Sequence, residues 1–183
     1  RDRSHRDAGH LCHTARRTDA VIRKATARDA VWIMDLWNGV IADTLITFTT
    51  TPKTHNEIIA KIETGTVLVA TNQRGFATYG PFRAGPGYAA TVEHSVMIAP
   101  SVRGTGLGRA LMTLLIQHAR EHRKHVMVAG VSSANHTAVK FHSALGFVEV
   151  GRMPQVAHKF DQWLDLILMQ RMLNPPDSCS DAS

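Results

Sequence analysis

Residues 92–110 read VEHSVMIAPSVRGTGLGRA. An apolar run from Val92 to Ala99 carries one acid, Glu93, and ends at Pro100. Three glycines follow at alternate positions, Gly104, Gly106 and Gly108, and helical spacing begins after them. A strand, a glycine turn and a helix in that order make an anion cradle. Glycine lets the backbone approach a ligand closely and adopt positive φ. Successive N–H groups then point into one concavity, and the helix adds its positive end. A pyrophosphate is the natural guest.

Three phosphate-binding patterns compete for this loop. A P-loop ends in Gly-Lys-Ser/Thr, whereas this one ends in Gly108-Arg109-Ala110. A dinucleotide fingerprint spaces its glycines G-x-G-x-x-G; Gly104 and Gly106 fit, but Arg109 stands at the third position and no ribose-binding acid follows on a parallel strand. The pattern Arg/Gln-x-x-Gly-x-Gly/Ala is filled throughout by Arg103, Gly104, Thr105, Gly106, Leu107 and Gly108.

Outward from the loop, strands and helices alternate. Strands are expected at 21–25, 66–71, 75–79, 88–99, 126–131, 147–150 and 163–172. Helices are expected at 30–41, with Asp29 as N-cap, at 56–63, at 109–122 and at 138–145. The third helix carries an expected buried stripe of Leu111, Leu114, Leu115 and His118 or Ala119. Ala138, Phe141 and Leu145 share one face of the fourth, which Gly146 stops. The pattern describes one α/β domain built on a central sheet.

The chain has 183 residues and is 44% hydrophobic and 20% charged, enough for one ordinary core. No run approaches the roughly 20 apolar residues of a bilayer span, and the first 20 residues lack a signal-peptide core. A cytoplasmic protein without membrane contact is expected. The net charge of +6 suits anionic small ligands. Lys and Arg are scattered rather than gathered on one face, so no nucleic-acid partner is expected. Cys12 and Cys179 lie near the ends in polar sequence, which disfavours a disulfide or a cysteine nucleophile. No metal-ligand spacing appears. Residues 1–20 and 174–183 are expected to be disordered, flanking a domain at 21–173. Because a GTG start codon otherwise encodes valine, the natural start is expected at Val21.

The resemblance to a known family is carried by several stretches beyond the loop. These are Leu-Trp-Asn-Gly-Val-Ile at 36–41 with Thr-Phe at 47–48, Gly-Pro-Phe-Arg at 80–83, Thr-Val-Glu-His-Ser-Val at 91–96, Asn-His-Thr-Ala at 135–138, Phe-His-Ser-Ala-Leu-Gly-Phe at 141–147 and His-Lys-Phe-Asp-Gln-Trp-Leu-Asp-Leu at 158–166. Together they resemble the GNAT N-acetyltransferases, in the phosphinothricin and methionine sulfoximine acetyltransferase branch. The likeness covers about residues 21–173. It implies the GNAT fold: a mixed, mostly antiparallel sheet flanked by helices, with a splayed pair of parallel strands at the acetyl-CoA site. It also implies a homodimer.

The resemblance assigns acetyl-CoA, as cosubstrate, to the loop from Arg103 to Arg109, to the backbone of Val96, Met97 and Ile98, and to Asn135, which on its own reading also serves as a helix cap. Glu93, an acid in an apolar strand, takes the place of the general base. His142 takes the place of the acid near the departing sulfur, and a helix histidine bonded to backbone is the other reading. Arg83 offers a planar grip for a substrate carboxylate. His94 neighbours Glu93, so the two side chains point to opposite faces. A bulge in the strand would bring His94 and Ser95 to the substrate side together, where both are expected to bind substrate; a structural histidine is the other reading of His94. After Tyr88 the branch often has a basic residue; Ala89 stands here, leaving a second anionic group of the substrate less accounted for. Trp37, Phe82 and Trp163 are candidate pocket walls. The expected reaction is direct acetyl transfer in a ternary complex to the α-amine of a small amino acid analogue. The alternatives are another amine, such as a peptide N-terminus or an antibiotic, and a non-catalytic acyl-CoA-binding module.

Overall fold

A computed structural model describes residues 21–174 of the chain. The expectations for residues 1–20, for residues 175–183 and for Cys12 and Cys179 fall outside the described residues. Asn174 is described and is tied to the fold, its Nδ2 donating to Lys124 O at 3.1 Å.

The strands are β1 (Ile22–Lys24), β2 (Val67–Ala70), β3 (Gly75–Pro81), β4 (Thr91–Ile98), β5 (Val126–Ser132), β6 (Val148–Lys159) and β7 (Gln162–Met172). The helices are α1 (Ala30–Asp43), α2 (His55–Glu63), α3 (Leu107–Glu121) and α4 (His136–Ser143). The seven strands form one sheet in the order β1-β2-β3-β4-β5-β7-β6. Every neighbouring pair is antiparallel except β4–β5.

Period-two patterning sorts the apolar side chains onto two faces. Val67 and Val69 of β2 and Phe76 of β3 meet Ala30, Ile33, Trp37 and Ile41 of α1 and Ile58 of α2. Leu68 and Ala70, with Ala77 and Tyr79, meet Leu107, Leu111, Leu115 and Ala119 of α3. β2 is buried on both faces, which is why it reads VLVA without alternation.

Three local expectations are corrected. Asp29 does not cap α1 with its side chain. Its carboxylate turns back instead, accepting from Arg23 Nη1 and Nη2 at 2.7 and 2.9 Å, from Thr26 N at 2.8 Å and from Trp32 Nε1 at 3.2 Å. Leu114 is 39% exposed. The buried arc of α3 is centred nearer Leu115 and Ala119, which leaves Leu114 at its edge. The strand expected at 88–99 starts three residues late: Pro86–Tyr88 form a 3-10 turn entered through Gly85 at φ +111°.

β6 runs past the expected end at residue 150. Register shifts at Glu149/Gly151 and Met153/Ala157 let this edge strand absorb Pro154. The β6–β7 hairpin is tied back to α1 by Lys159, whose buried ammonium donates to Ile41 O at 2.7 Å and to Thr47 O at 3.1 Å. No helix among the described residues is long and apolar enough to cross a membrane.

Candidate active site

The parallel pairing of β4 with β5 is short: Thr91 opposes Val126, Val92 opposes Met127 and Glu93 opposes Val128. Beyond Glu93 the two strands splay. β4 continues against β3 as far as Ile98, and β5 continues against β7 as far as Ser132. The β5-side edge of β4 along Val96, Met97 and Ile98 therefore has no strand partner among the described residues. Backbone amides left this way need another acceptor or donor. The side chains there are committed to packing, Val96 and Ile98 toward α3 and Met97 toward Phe76 and the α1–α2 layer.

The glycine turn lies at the far end of this gap. Gly104 and Gly106 have φ of +78° and +89°, conformations that disfavour other residues. The helix starts at Leu107, two residues before the expected Arg109. Ala110 N closes the first helical bond, onto Gly106 O. Among the described residues no acceptor takes the N–H groups of Gly104, Gly106, Leu107, Gly108 or Arg109. Thr105 is held within the turn, its Oγ1 donating to Val102 O at 2.8 Å. Leu107 is buried and offers a ligand only its backbone. Gly108 has a packing reason as well, since an added Cβ would meet Phe141 of α4 at 3.4 Å. Arg103 and Arg109 are exposed, and Arg109 Nη1 reaches Ala144 O at 3.4 Å.

Glu93 sits where the gap opens. The residue is exposed at its outer side, and its carboxylate is partly desolvated at the inner one, where Oε1 lies 3.0 Å from where a Cβ on Gly130 would stand. Burial raises its carboxyl above the ordinary carboxylate value, and the charge of Arg83 partly opposes the rise. Arg83 lies in the loop after β3, with its guanidinium 5.1 Å from the Phe82 ring centroid. Ser95 is two residues along β4 from Glu93 and shares its face. A cleft of about 200 Å³ adjoins this face, lined by Phe82, Tyr88, Thr91, Val126, Val128, Val150, Leu168 and Gln170.

β4 runs in unbroken register against β3 from Val92 to Ile98, so no bulge turns it. His94 therefore faces away from Arg83, Glu93 and Ser95, which corrects its expected place among the substrate-side residues. Its ring is buried 5.1 Å from that of His142, with Phe147 beside both. Neither nitrogen of His94 has a hydrogen-bond partner among the described residues. Burial, with His142 adding to it, pushes His94 down to about 3. His142 Nδ1 donates to Ala138 O at 2.7 Å, which leaves Nε2 unprotonated in the neutral ring and without a described partner. Burial lowers the pKa of this ring too, and the bond to Ala138 opposes it.

Asn135 caps α4, its Oδ1 accepting from Ala138 N at 3.2 Å and from Thr137 Oγ1 at 3.1 Å. Trp37 is core against Phe76, and Trp163 is 63% exposed at the hairpin tip; only Phe82 of the three expected walls lines the cleft. Two residues near Glu93 escaped the sequence reading. Gly130 interrupts the apolar run VMVAGVS, a signal for close approach of another group. Lys61 falls on the apolar side of α2, three residues after Ile58.

The sequence pattern described as Acetyltransferase (GNAT) family matches residues 35–147, and the chain belongs to this family. An L-methionine sulfoximine/L-methionine sulfone acetyltransferase of Salmonella typhimurium is 47% identical over 108 residues, a match spanning 57% of this chain and 63% of that one. The protein of the same name from Pseudomonas aeruginosa is 38% identical over 168 residues, 87% of this chain and 98% of that one. Among solved structures, yncA of Salmonella typhimurium with its cofactor acetyl-CoA superposes with a TM-score of 0.81 at 37% identity, over 88% of this chain and all of that one (100%).

Proposed function

We propose that the chain transfers acetyl from acetyl-CoA to the α-amine of a small amino acid analogue of the methionine sulfoximine, methionine sulfone or phosphinothricin type. The observation that carries this reading is the splay itself. A strand edge without a partner among the described residues begins at the one acidic residue of β4 and leads to a turn where the N–H groups of Gly104, Gly106, Leu107, Gly108 and Arg109 have no described acceptor. The donor set fits the coenzyme: N–H groups for a diphosphate at Gly104–Arg109, a free strand edge at 96–98 for an amide-bearing arm, and the Asn135 amide at the start of α4.

When bound, acetyl-CoA supplies an activated acyl group on sulfur. The chain supplies the proton chemistry. Glu93 takes a proton from the substrate ammonium, directly or through one water, and freeing the amine in this way makes it nucleophilic. A raised carboxyl pKa suits that task, because it makes Glu93 a stronger base. In this reading a β4 backbone N–H near Met97 would polarise the thioester carbonyl. His142 Nε2 must receive a proton before it can give one. We assign it to the departing sulfur and not to the amine, because its ring packs with His94 on the side of β4 away from Glu93. Arg83 holds the α-carboxylate in a bidentate grip. Ala89, with no cation after Tyr88, favours the methionine derivatives over phosphinothricin.

The assembly we propose is a homodimer. Val148, Val150, Met153 and Val156 on β6, with Phe160 and Trp163 at the hairpin turn, are each at least 45% exposed on an edge strand. Such an apolar edge needs cover. A cytoplasmic location goes with the reading, because acetyl-CoA is made there. Thiol release from acetyl-CoA, followed with methionine sulfone, methionine sulfoximine, phosphinothricin, peptides and aminoglycosides as acceptors, tests the function. Release with the first three, initial rates giving intersecting lines, and no isolable acetyl-protein is the expected result. Coenzyme binding without release in any arm would leave a sensor module instead.

A further inference from the structure

Lys61 lies in the last turn of α2. Its stem runs under the helix beside Trp37, Ile62, Phe76 and Thr78. Its ammonium emerges over β3, where a Cβ added to Gly80 would sit 3.5 Å from Nζ. Gly80 is the cross-strand partner of Glu93. Directly opposed residues share one face of a sheet. The ammonium therefore stands on the Glu93 face, one strand over, on the side of Glu93 away from Gly130.

This cation is half-buried and has no hydrogen-bond acceptor or ion-pair partner among the described residues. Its neighbour Lys53 differs, pairing with Glu57 at 3.6 Å. Burial, and after it the charge of Lys53, lowers the pKa of Lys61. Holding a charge in that position without an anion is costly unless a ligand supplies one. The β3 side of Glu93 thus has two cations, Lys61 of α2 over Gly80 and Arg83 in the loop that follows β3. Position 89 has no basic side chain of its own, and its carbonyl accepts from Lys124 Nζ at 2.9 Å.

We infer that Lys61 is a specificity-determining residue of the same site: it binds the oxygens on the side chain of the amino acid, a phosphinate or a sulfone, while Arg83 holds the α-carboxylate and Glu93 faces the amine. This rests on the acetyltransferase reading above. The effect is greatest for an anionic side chain, since a charged pair is stronger than a charge against a neutral dipole. A lysine in the last turn of a helix also stabilises the helix, but that role alone does not touch substrate affinity.

The test is steady-state kinetics of the full chain with phosphinothricin and with methionine sulfone, for Lys61→Met, Lys61→Arg, Lys53→Met and Lys61→Met/Ala89→Lys. In Lys61→Met the KM for phosphinothricin is expected to rise about tenfold or more, as the loss of one charge-assisted contact gives. The KM for methionine sulfone should rise less, and the KM for acetyl-CoA and kcat should hold. Lys61→Arg should stay near the unaltered protein, Lys53→Met should behave as unaltered, and Ala89→Lys should restore part of the phosphinothricin affinity. Should Lys61→Met leave the ratio of the two KM values unchanged, or lower only the melting temperature, the assignment of Lys61 is overturned while the reaction stands. Should the unaltered protein release no thiol with either amino acid, the reading of the site falls and the role of Lys61 with it.

Discussion

Gly130 and Glu93 face one another across the mouth of the splay, so close that a Cβ on the glycine would stand 3.0 Å from Oε1 of the carboxylate and 3.3 Å from Leu166 Cδ1. The strand position is thus shaped to admit the acid. Gly130→Val should fold, because valine suits a strand, but its methyls would displace the carboxylate. A misplacement near 1 Å lowers kcat by about a hundredfold. Coenzyme affinity, read by calorimetry, should not change.

Glu93→Gln removes the base and keeps the shape. The expected loss in kcat is about a hundredfold or more, with acetyl-CoA affinity retained. The pH profile carries a second signature. Burial raises the Glu93 carboxyl, so activity should climb with pH through a value above the ordinary carboxylate range. Arg83 opposes that rise, so Arg83→Gln should move the limb to still higher pH, besides raising the KM for the amino acid. A limb that stays in place in both variants would detach it from Glu93.

Gly106 sits at φ +89° with nothing within 4 Å of an added Cβ. Space is therefore not the constraint; conformation is. Gly106→Val should cost about 1–2 kcal/mol of strain and turn the N–H groups out of register with the ligand. Calorimetry should show coenzyme affinity falling by about tenfold or more, the equivalent of one lost charge-assisted hydrogen bond.

Asp29 is 4% exposed and accepts from Arg23, Thr26 and Trp32. The Arg23 hydrogen bonds hold its carboxyl well below the usual carboxylate range. Its contribution is therefore fully present above the unfolded value, near pH 4, and is lost as pH falls toward the lower folded value. Asp29→Ala leaves a part-buried indole N–H and a largely exposed guanidinium without their acceptor, and should cost about 1–3 kcal/mol in urea unfolding at pH 7.

Three buried imidazoles, His94, His118 and His142, resist protonation, mainly through burial. Their folded values lie below the ordinary 6.5, and His94 reaches about 3. Below pH 6.5 the unfolded chain binds protons that the folded chain refuses. Stability is therefore full above that pH and falls as pH drops, by about 1.4 kcal/mol per unit from His94 alone. Urea midpoints at pH 7, 6 and 5 should fall in order, and His94→Phe should flatten the decline.

The strand, the glycine turn and α3 were legible because their signals are local: alternate glycines, a proline at the strand end and a helical stripe. The placement of Glu93 and His94 on opposite faces was legible too, since period two leaves no choice without a bulge. The splay was not readable from residues 91–98, because it depends on where β5 leaves β4, and β5 is set by its pairing with β7. Asp29 misled for a local reason. Helix caps and turn-back carboxylates share a residue type, and Arg23 and Trp32 decided between them. Lys61 carries no local signal in the sequence, because its position over Gly80 comes from how α2 lies on β3.

The seam between β4 and β5 has a mechanical consequence. An amide-bearing chain laid along residues 96–98 would serve as a missing rung of the sheet, so loading would complete the β scaffold rather than merely fill a hole. Hydrogen exchange along that stretch should slow when coenzyme is added, and the melting temperature should climb with coenzyme concentration. The protein's rigidity would then report how much coenzyme surrounds it.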